Sequence, residues 1–229
     1  MKTWVIVPAA GGGRRFGGPV PKQYLDLAGK PVIQHTLERL LTIEPAGLVV
    51  VIAADDVHWQ RLPGAADPRI LVARGGAERA DSVRAGLAAL AGRAAATDLV
   101  LVHDVVRPCV TEADIRALLA VADHPGGALL AAPVSDTLKR VDDNGVVVGT
   151  EPRAGLWAAL TPQLGRYAVL VAALAQAQQS GCAFTDEAAA LEAAGYSPRV
   201  VPGRRDNLKI TRPEDLALAA AVLASQEAE

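Results

Sequence analysis

The chain has 229 residues, 51% of them hydrophobic and 21% charged, which is enough apolar material for one sizeable core. Its 23 Lys and Arg against 25 Asp and Glu leave a formal net charge of -2, excluding a broad basic field for nucleic acid but allowing a local cationic pocket. Charged residues, Gly or Pro interrupt every apolar run, so no membrane span is expected. Cys109 and Cys182 have neither metal-ligand spacing nor the number for a disulfide framework, which points to a reducing cytoplasm.

Trp4 to Val7 is a short run rich in β-branched residues, as expected of a strand buried on both faces. The loop behind it reads Pro8-Ala9-Ala10-Gly11-Gly12-Gly13-Arg14-Arg15-Phe16 and runs on through Gly17, Gly18 and Pro19 to Lys22. Three consecutive glycines let the backbone approach a ligand closely, because no Cβ stands in the way. Arg14, Arg15 and Lys22 place positive charge around the same turn, an arrangement suited to a polyphosphate. Neither common phosphate signature fits: in G-x-G-x-x-G the third glycine falls on Phe16, and a P-loop fails because Gly12 to Gly17 is followed by Gly18-Pro19.

Apolar spacing at Ile33, Leu37, Leu40 and Leu41 predicts a helix over 32–43, ending before Pro45. Strands are expected at 48–53 and 70–73, a helix over 79–90, and a strand at 99–102 closed by His103-Asp104-Val105-Val106-Arg107-Pro108. A capping box at Thr111-x-x-Asp114 opens a helix to about residue 122, and a strand follows at 128–132. This alternation predicts an α/β fold with a mainly parallel twisted sheet, whose ligands sit at the carboxyl ends of the strands, where the polar clusters lie.

Residues 137–141 and 146–150 flank Asp142-Asp143-Asn144-Gly145 and read as a β-hairpin, a projecting arm inserted at about 134–155 that packs on a second subunit. Beyond it, a helix over 166–180 ends at Gly181, and a short one over 186–194 is capped by Thr185. Strands at 199–201 and 207–210 and a helix opening on a Thr211-x-x-Glu214 capping box complete residues 1–229, read as a single domain.

His35, His58, His103 and His124 are scattered, and no H-x-x-x-H or G-x-S-x-G occurs, so neither a zincin site nor a serine nucleophile elbow is expected. What remains is cationic and hydroxyl-bearing: Arg15, Lys22, Arg79, Arg107, Thr137, Arg153, Thr185 and Lys209, with the carboxylate of Asp104 at a strand end. Phosphoryl-type transfer needs such parts, because its catalysis is mainly positioning and charge stabilisation. Asp104 has two readings, holding a ribose hydroxyl or the water shell of Mg²⁺ on the one hand and capping the next turn on the other. Asp186 and Glu187, at a helix start, read as complements to the helix dipole.

In order along the chain, A-A-G-G-G-R-R-F with P-K-Q-Y, G-G-A-E-R-A-D-S-V, V-H-D-V-V-R-P, A-P-V-S-D-T-L-K-R, R-A-G-L-W-A-A-L-T-P-Q, F-T-D-E-A and D-N-L-K-I-T-R-P-E-D-L resemble the 2-C-methyl-D-erythritol 4-phosphate cytidylyltransferase family, from residue 7 to about 219. The resemblance implies a Rossmann-like nucleotidyltransferase fold, transfer of CMP from CTP to a sugar-alcohol phosphate with release of pyrophosphate, and a divalent cation such as Mg²⁺. It also implies a homodimer whose arms interlock.

Carried over position by position, it implies that Arg15 and Lys22 stabilise the α-phosphate of CTP, with Arg153 and Lys209 completing the catalytic set. Ala9, Ala10, Gly11, Gly12, Gly13, Gly76, Arg79, Ser82, Asp104 and Val105 would hold the nucleotide, with Asp104 meeting the metal through water. Thr137, Arg153 and Lys209 would position methylerythritol phosphate, with Arg107, Thr161 and Thr185 nearby, and Thr137 and Arg153 would serve the neighbouring subunit. The chain departs from the family pattern at Val105-Val106, where two alanines are usual, at Phe16, where methionine is common, and at Ala77, where an acidic residue can occur. None of these removes a charged group. A ribitol 5-phosphate cytidylyltransferase and a catalytically silent nucleotide-binding protein remain as alternatives.

Overall fold

The structure, a computed structural model, describes residues 1–11, 16, 20–76, 78–181 and 184–228. Strand β1 (Thr3–Pro8) is its central element, buried from Trp4 to Val7 and paired in parallel with β4 (Gly47–Ile52) and β6 (Leu99–Val102) on its two sides. Between β1 and β4 lie a two-residue ribbon, β2 (Asp26–Leu27) with β3 (Lys30–Pro31), and helix α1 (Val32–Leu41). Strands β5 (Ile70–Arg74) and β7 (Ala128–Pro133) extend the sheet, and β8 (Leu138–Val141) with β9 (Val147–Glu151) forms a separate antiparallel arm. Adding β10 (Trp157–Arg166) and β11 (Arg199–Pro202), the described residues form a seven-stranded sheet in the order β11-β7-β10-β6-β1-β4-β5.

The two-residue period of the strands sorts the core into two layers. Val5, Val7, Leu48, Val50 and Leu101 face α1, α3 (Glu112–Leu119) and α6 (Glu214–Glu227). Trp4, Ile6, Val49, Val51, Val100 and Val102 face α2 (Arg79–Ala89), α4 (Tyr167–Gln179) and α5 (Glu187–Ala193). Because β1, β4, β5 and β6 all run the same way, their carboxyl ends and the loops that follow them meet along one edge.

Four local expectations need correction. Strand β10, not foreseen, lies antiparallel between β6 and β7. Pro162 is tolerated within it because its ladder with β7 breaks between Ala159 and Gln163, where the cis Thr161–Pro162 bond falls, so the missing N–H deprives no partner. Residues 207–210 form no strand; side chains pin them instead, Arg107 Nη1 donating to Asn207 O at 2.6 Å and Asn207 Nδ2 to Thr161 O at 2.8 Å. The cap of α5 is Asp186, which accepts from Ala189 N at 2.9 Å, and not Thr185. At α6 the Asp215 carboxylate accepts from the backbone N of both Thr211 and Arg212, in place of a Thr211/Glu214 box.

The arm has the expected form: Asp142 Oδ1 accepts from Asn144 N and Val146 N, and Gly145 takes a φ of +78°. Val141, Val146, Val147 and Val148, with Leu156 and Trp157 at its root, are exposed.

At Gly86 the crossing of α2 over β1 leaves no room for a side chain, since a Cβ would lie 2.5 Å from Ile6 Cγ2. Gly86→Ala is therefore expected to lower the unfolding free energy by about 1–3 kcal/mol, measured by urea titration, as α2 is forced off the sheet.

Candidate active site

A cavity of about 300 Å³ opens at the carboxyl edge of the sheet. Its wall is built from the exits of three parallel strands. After β1 come Ala10 and Gly11; after β5 comes Gly76, leading into Glu78, Arg79 and Ser82 on α2; after β6 come Asp104, Val105 and Val106. Lys22 and Gln23 close it from the end of the glycine loop, and Lys209 with Thr211 from the irregular segment before α6. Residues 22 and 209, far apart in the chain, thus face one space.

Local structure fixes each part. Helix α2 starts at Arg79 because Glu78 and Asp81 form a reciprocal capping box, which sets the helix N-terminus toward the cavity. Backbone must pass close at Gly75, where a Cβ would lie 2.6 Å from Ala10 Cβ and 2.5 Å from Ser82 Oγ. Gln23 Nε2 donates to Ala9 O at 2.8 Å and to Gly11 O at 3.3 Å, holding the start of the glycine loop. Lys22 Nζ donates to Ile210 O at 2.8 Å, and Ile210 N to Val106 O at 2.9 Å, so three walls are tied together.

The charges form one chain. Arg79 donates through Nε to Asp104 Oδ1 at 2.9 Å and forks onto Glu187 with Nη1–Oε1 at 2.6 Å and Nη2–Oε2 at 3.0 Å. Lys209 Nζ lies 2.8 Å from Asp104 Oδ2. Burial opposes ionisation of Asp104, but Arg79 and Lys209 outweigh it and hold the carboxyl well below the usual carboxylate range. Arg79 is raised above its ordinary value, since Glu187 and Asp104 more than offset its own burial. Burial pushes Glu187 up, with Arg79 opposing.

Behind this chain sits a neutral one. His103 Nε2 meets the carbonyl of Arg107 at 3.1 Å; a carbonyl only accepts, so Nε2 carries the proton. The Thr161 hydroxyl then donates to His103 Nδ1 and accepts from Asp104 N, both at 3.1 Å. Full burial pushes His103 down to about 4, consistent with this neutral tautomer. Arg107, also lowered by burial, has its Nε 3.8 Å from Asp104 Oδ2 and without a hydrogen bond among the described residues.

Of the residues singled out from sequence, Lys22, Lys209, Ala10, Gly11, Gly76, Arg79, Ser82, Asp104 and Val105 line the cavity, and Ala9 is buried just behind it. Arg107 and Thr161 stand buried behind Asp104 and are not on the cavity wall. Thr185 is exposed, and Thr137 and Arg153 belong to the arm, off the cavity. Arg15, Gly12 and Gly13 lie outside the described residues. Sequence reasoning missed Gln23 and Glu187. Gln23 had a signal in its place beside Lys22, whereas Glu187 had none, since a helix start already explains an acidic residue there.

A model of the family described as 2-C-methyl-D-erythritol 4-phosphate cytidylyltransferase matches residues 3–225. The chain is 55% identical over 231 residues to the enzyme of that name from Chromohalobacter salexigens, covering 99% of this chain and 92% of the relative. It is 53% identical over 219 residues to the one from Ectopseudomonas mendocina, covering 94% and 93%. The crystal structure of the Francisella tularensis enzyme of the same name superposes with a TM-score of 0.83 at 33% identity, covering 97% of this chain and 100% of the other.

His103 supplies a pH test. Its folded pKa near 4 lies below the unfolded value of about 6.5, so its contribution is complete above about pH 6.5 and is lost as pH falls toward 4. Urea unfolding at stepped pH is expected to show a loss of order 3 kcal/mol across that window, which His103→Gln should flatten.

Proposed function

The chain belongs to the 2-C-methyl-D-erythritol 4-phosphate cytidylyltransferase family, and from that premise we propose that Lys22 and Lys209 hold its two anionic substrates together in the cavity at the sheet edge. The enzyme transfers CMP from CTP to 2-C-methyl-D-erythritol 4-phosphate and releases pyrophosphate, a step of isoprenoid precursor biosynthesis. The observation that carries the site assignment is the shared cavity: both lysines line it, with Arg79, Ser82 and Asp104 between them.

The chemistry asks for no general base. A phosphate monoester with a second pKa of about 6 is mostly dianionic at neutral pH, so an oxygen of methylerythritol phosphate attacks the α-phosphorus directly as pyrophosphate leaves. The barrier is repulsion between that dianion and the triphosphate, and paired cations relieve it. Lys22, with Arg15, stabilises the charge that grows on the α-phosphate. Lys209 draws in the attacking phosphate from the opposite wall, leaving its contact with Asp104 as it does so. Asp104, Ser82 and the backbone from Ala9 to Gly13, with Gly76 and Val105, seat the nucleotide.

The described residues contain no group of three His, Cys, Asp or Glu side chains able to cage a metal ion, which suits Mg²⁺ carried on the CTP phosphates with Asp104 holding one of its waters. When bound, such an ion screens the phosphate charges. No helix among the described residues is long and apolar enough to cross a membrane, and dependence on CTP fits the cytoplasm.

The working unit in this reading is a homodimer. The exposed valines of the arm and Trp157 at its root form an apolar strip that a second copy would cover. Thr137 and Arg153 point the same way, since neither lines the cavity of its own chain, and each would complete the neighbour's site. Within this arrangement Arg107 and Thr161 act from behind the wall, by fixing Asp104 and the segment that carries Lys209, and Thr185 stands near the sugar-phosphate side.

With methylerythritol phosphate, CTP and Mg²⁺, Lys22→Ala and Lys209→Ala are each expected to lower pyrophosphate release by a factor of about 100 or more. Ribitol 5-phosphate in place of methylerythritol phosphate should be a poor substrate, and turnover within twofold of the parent in both lysine variants would sink the assignment. Mixing inactive Arg153→Ala with inactive Lys209→Ala should restore activity toward about a quarter of the parent, because a mixed dimer keeps one intact site only if Arg153 works across the interface.

A further inference from the structure

Glu187 is 2% exposed, yet nothing in the reaction needs a second buried carboxylate. A place in the first turn of α5 accounts for an acidic residue there, but not for its burial against the fork of Arg79. Nor does stability, since a buried ion pair gains little over apolar side chains of similar volume. Its surroundings show a built position. Gln163 of β10 grips α5 on both sides of Glu187, donating through Nε2 to Asp186 Oδ2 at 2.9 Å and accepting at Oε1 from Ala188 N at 2.8 Å. The carboxylate is thereby registered against the strand next to β6, whose exit carries Asp104.

We propose that Glu187 is a positioning residue of the nucleotide pocket: by taking both terminal nitrogens of Arg79, it confines that guanidinium to a single contact with Asp104 Oδ1 and leaves Asp104 Oδ2 to Lys209. The inference rests on reading the cavity as the CTP site. Guanidinium forks match carboxylates in pairs. Without Glu187 the fork of Arg79 turns onto both oxygens of Asp104 and masks the group that meets the nucleotide. Glu187 therefore acts only through Arg79, and its effect falls on CTP more than on the sugar phosphate.

The test compares Glu187→Gln, Arg79→Lys and the double variant, with CTP affinity from calorimetry and steady-state KM for both substrates. Glu187→Gln is expected to weaken CTP about tenfold while the KM for methylerythritol phosphate moves less than about threefold. Adding Arg79→Lys to it should cost far less than Arg79→Lys costs the parent, since the two share one interaction. CTP affinity within twofold of the parent, or losses that multiply in the double variant, would overturn the proposal. If circular dichroism shows Glu187→Gln unfolded, the same comparison is made with Glu187→Asp, which keeps the charge but withdraws it by one methylene; multiplying losses there overturn it equally. Turnover of CTP by the parent separates the outcomes. An inactive parent removes the functional reading, whereas an active parent with an indifferent Glu187→Gln removes only this inference.

Discussion

The site depends on one buried carboxylate. The cavity gathers cations, and gathered cations repel one another in the protein interior far more than in water. Asp104 resolves this by lying between Arg79 at one oxygen and Lys209 at the other, with Arg107 behind. Glu187 neutralises the outer side of Arg79. Three cations thus face two carboxylates, each ion pair joining opposite charges, and these outweigh the residual repulsion of Arg79 on Arg107 and of Asp104 on Glu187.

That arrangement exists only because of the sheet. Arg79 follows β5, Asp104 follows β6, Glu187 opens α5 beside β10, and Lys209 comes from the segment pinned against Val106 and Arg107. Parallel strands deliver the first two to one edge, and antiparallel β10, running the other way beside β6, brings the hold on α5 to the same place. The neutral chain of His103, Thr161 and the Asp104 amide fixes the depth at which the carboxylate sits.

Much of this was legible from sequence, and the exceptions share a cause. Strands β1, β4 and β6 are continuous runs of β-branched and aliphatic residues and announce themselves locally, as does the Asp142–Gly145 turn. Strand β10 does not, because Pro162 and the Ala158-Ala159 pair carry no strand signal and its place is set by two neighbours distant in sequence. Lys22, Asp104 and Lys209 stand in short motifs that mark them. Glu187 escaped because a sufficient local explanation hid a tertiary one: nothing near it in the chain tells that it will be buried against Arg79, 108 residues earlier. The stretch 207–210 has the composition of a strand but spends its backbone groups on Val106, Arg107 and Lys22 instead of on a ladder.

The arm departs from β7 and returns on β10, and those two strands are neighbours in the sheet. Its length is thus decoupled from the catalytic edge: residues gained or lost in matched pairs at the Asp142–Gly145 tip would alter how far the hairpin extends without shifting the register of a single core strand. Such a design lets the reach of the hairpin drift over evolutionary time while the sheet edge at its base stays still.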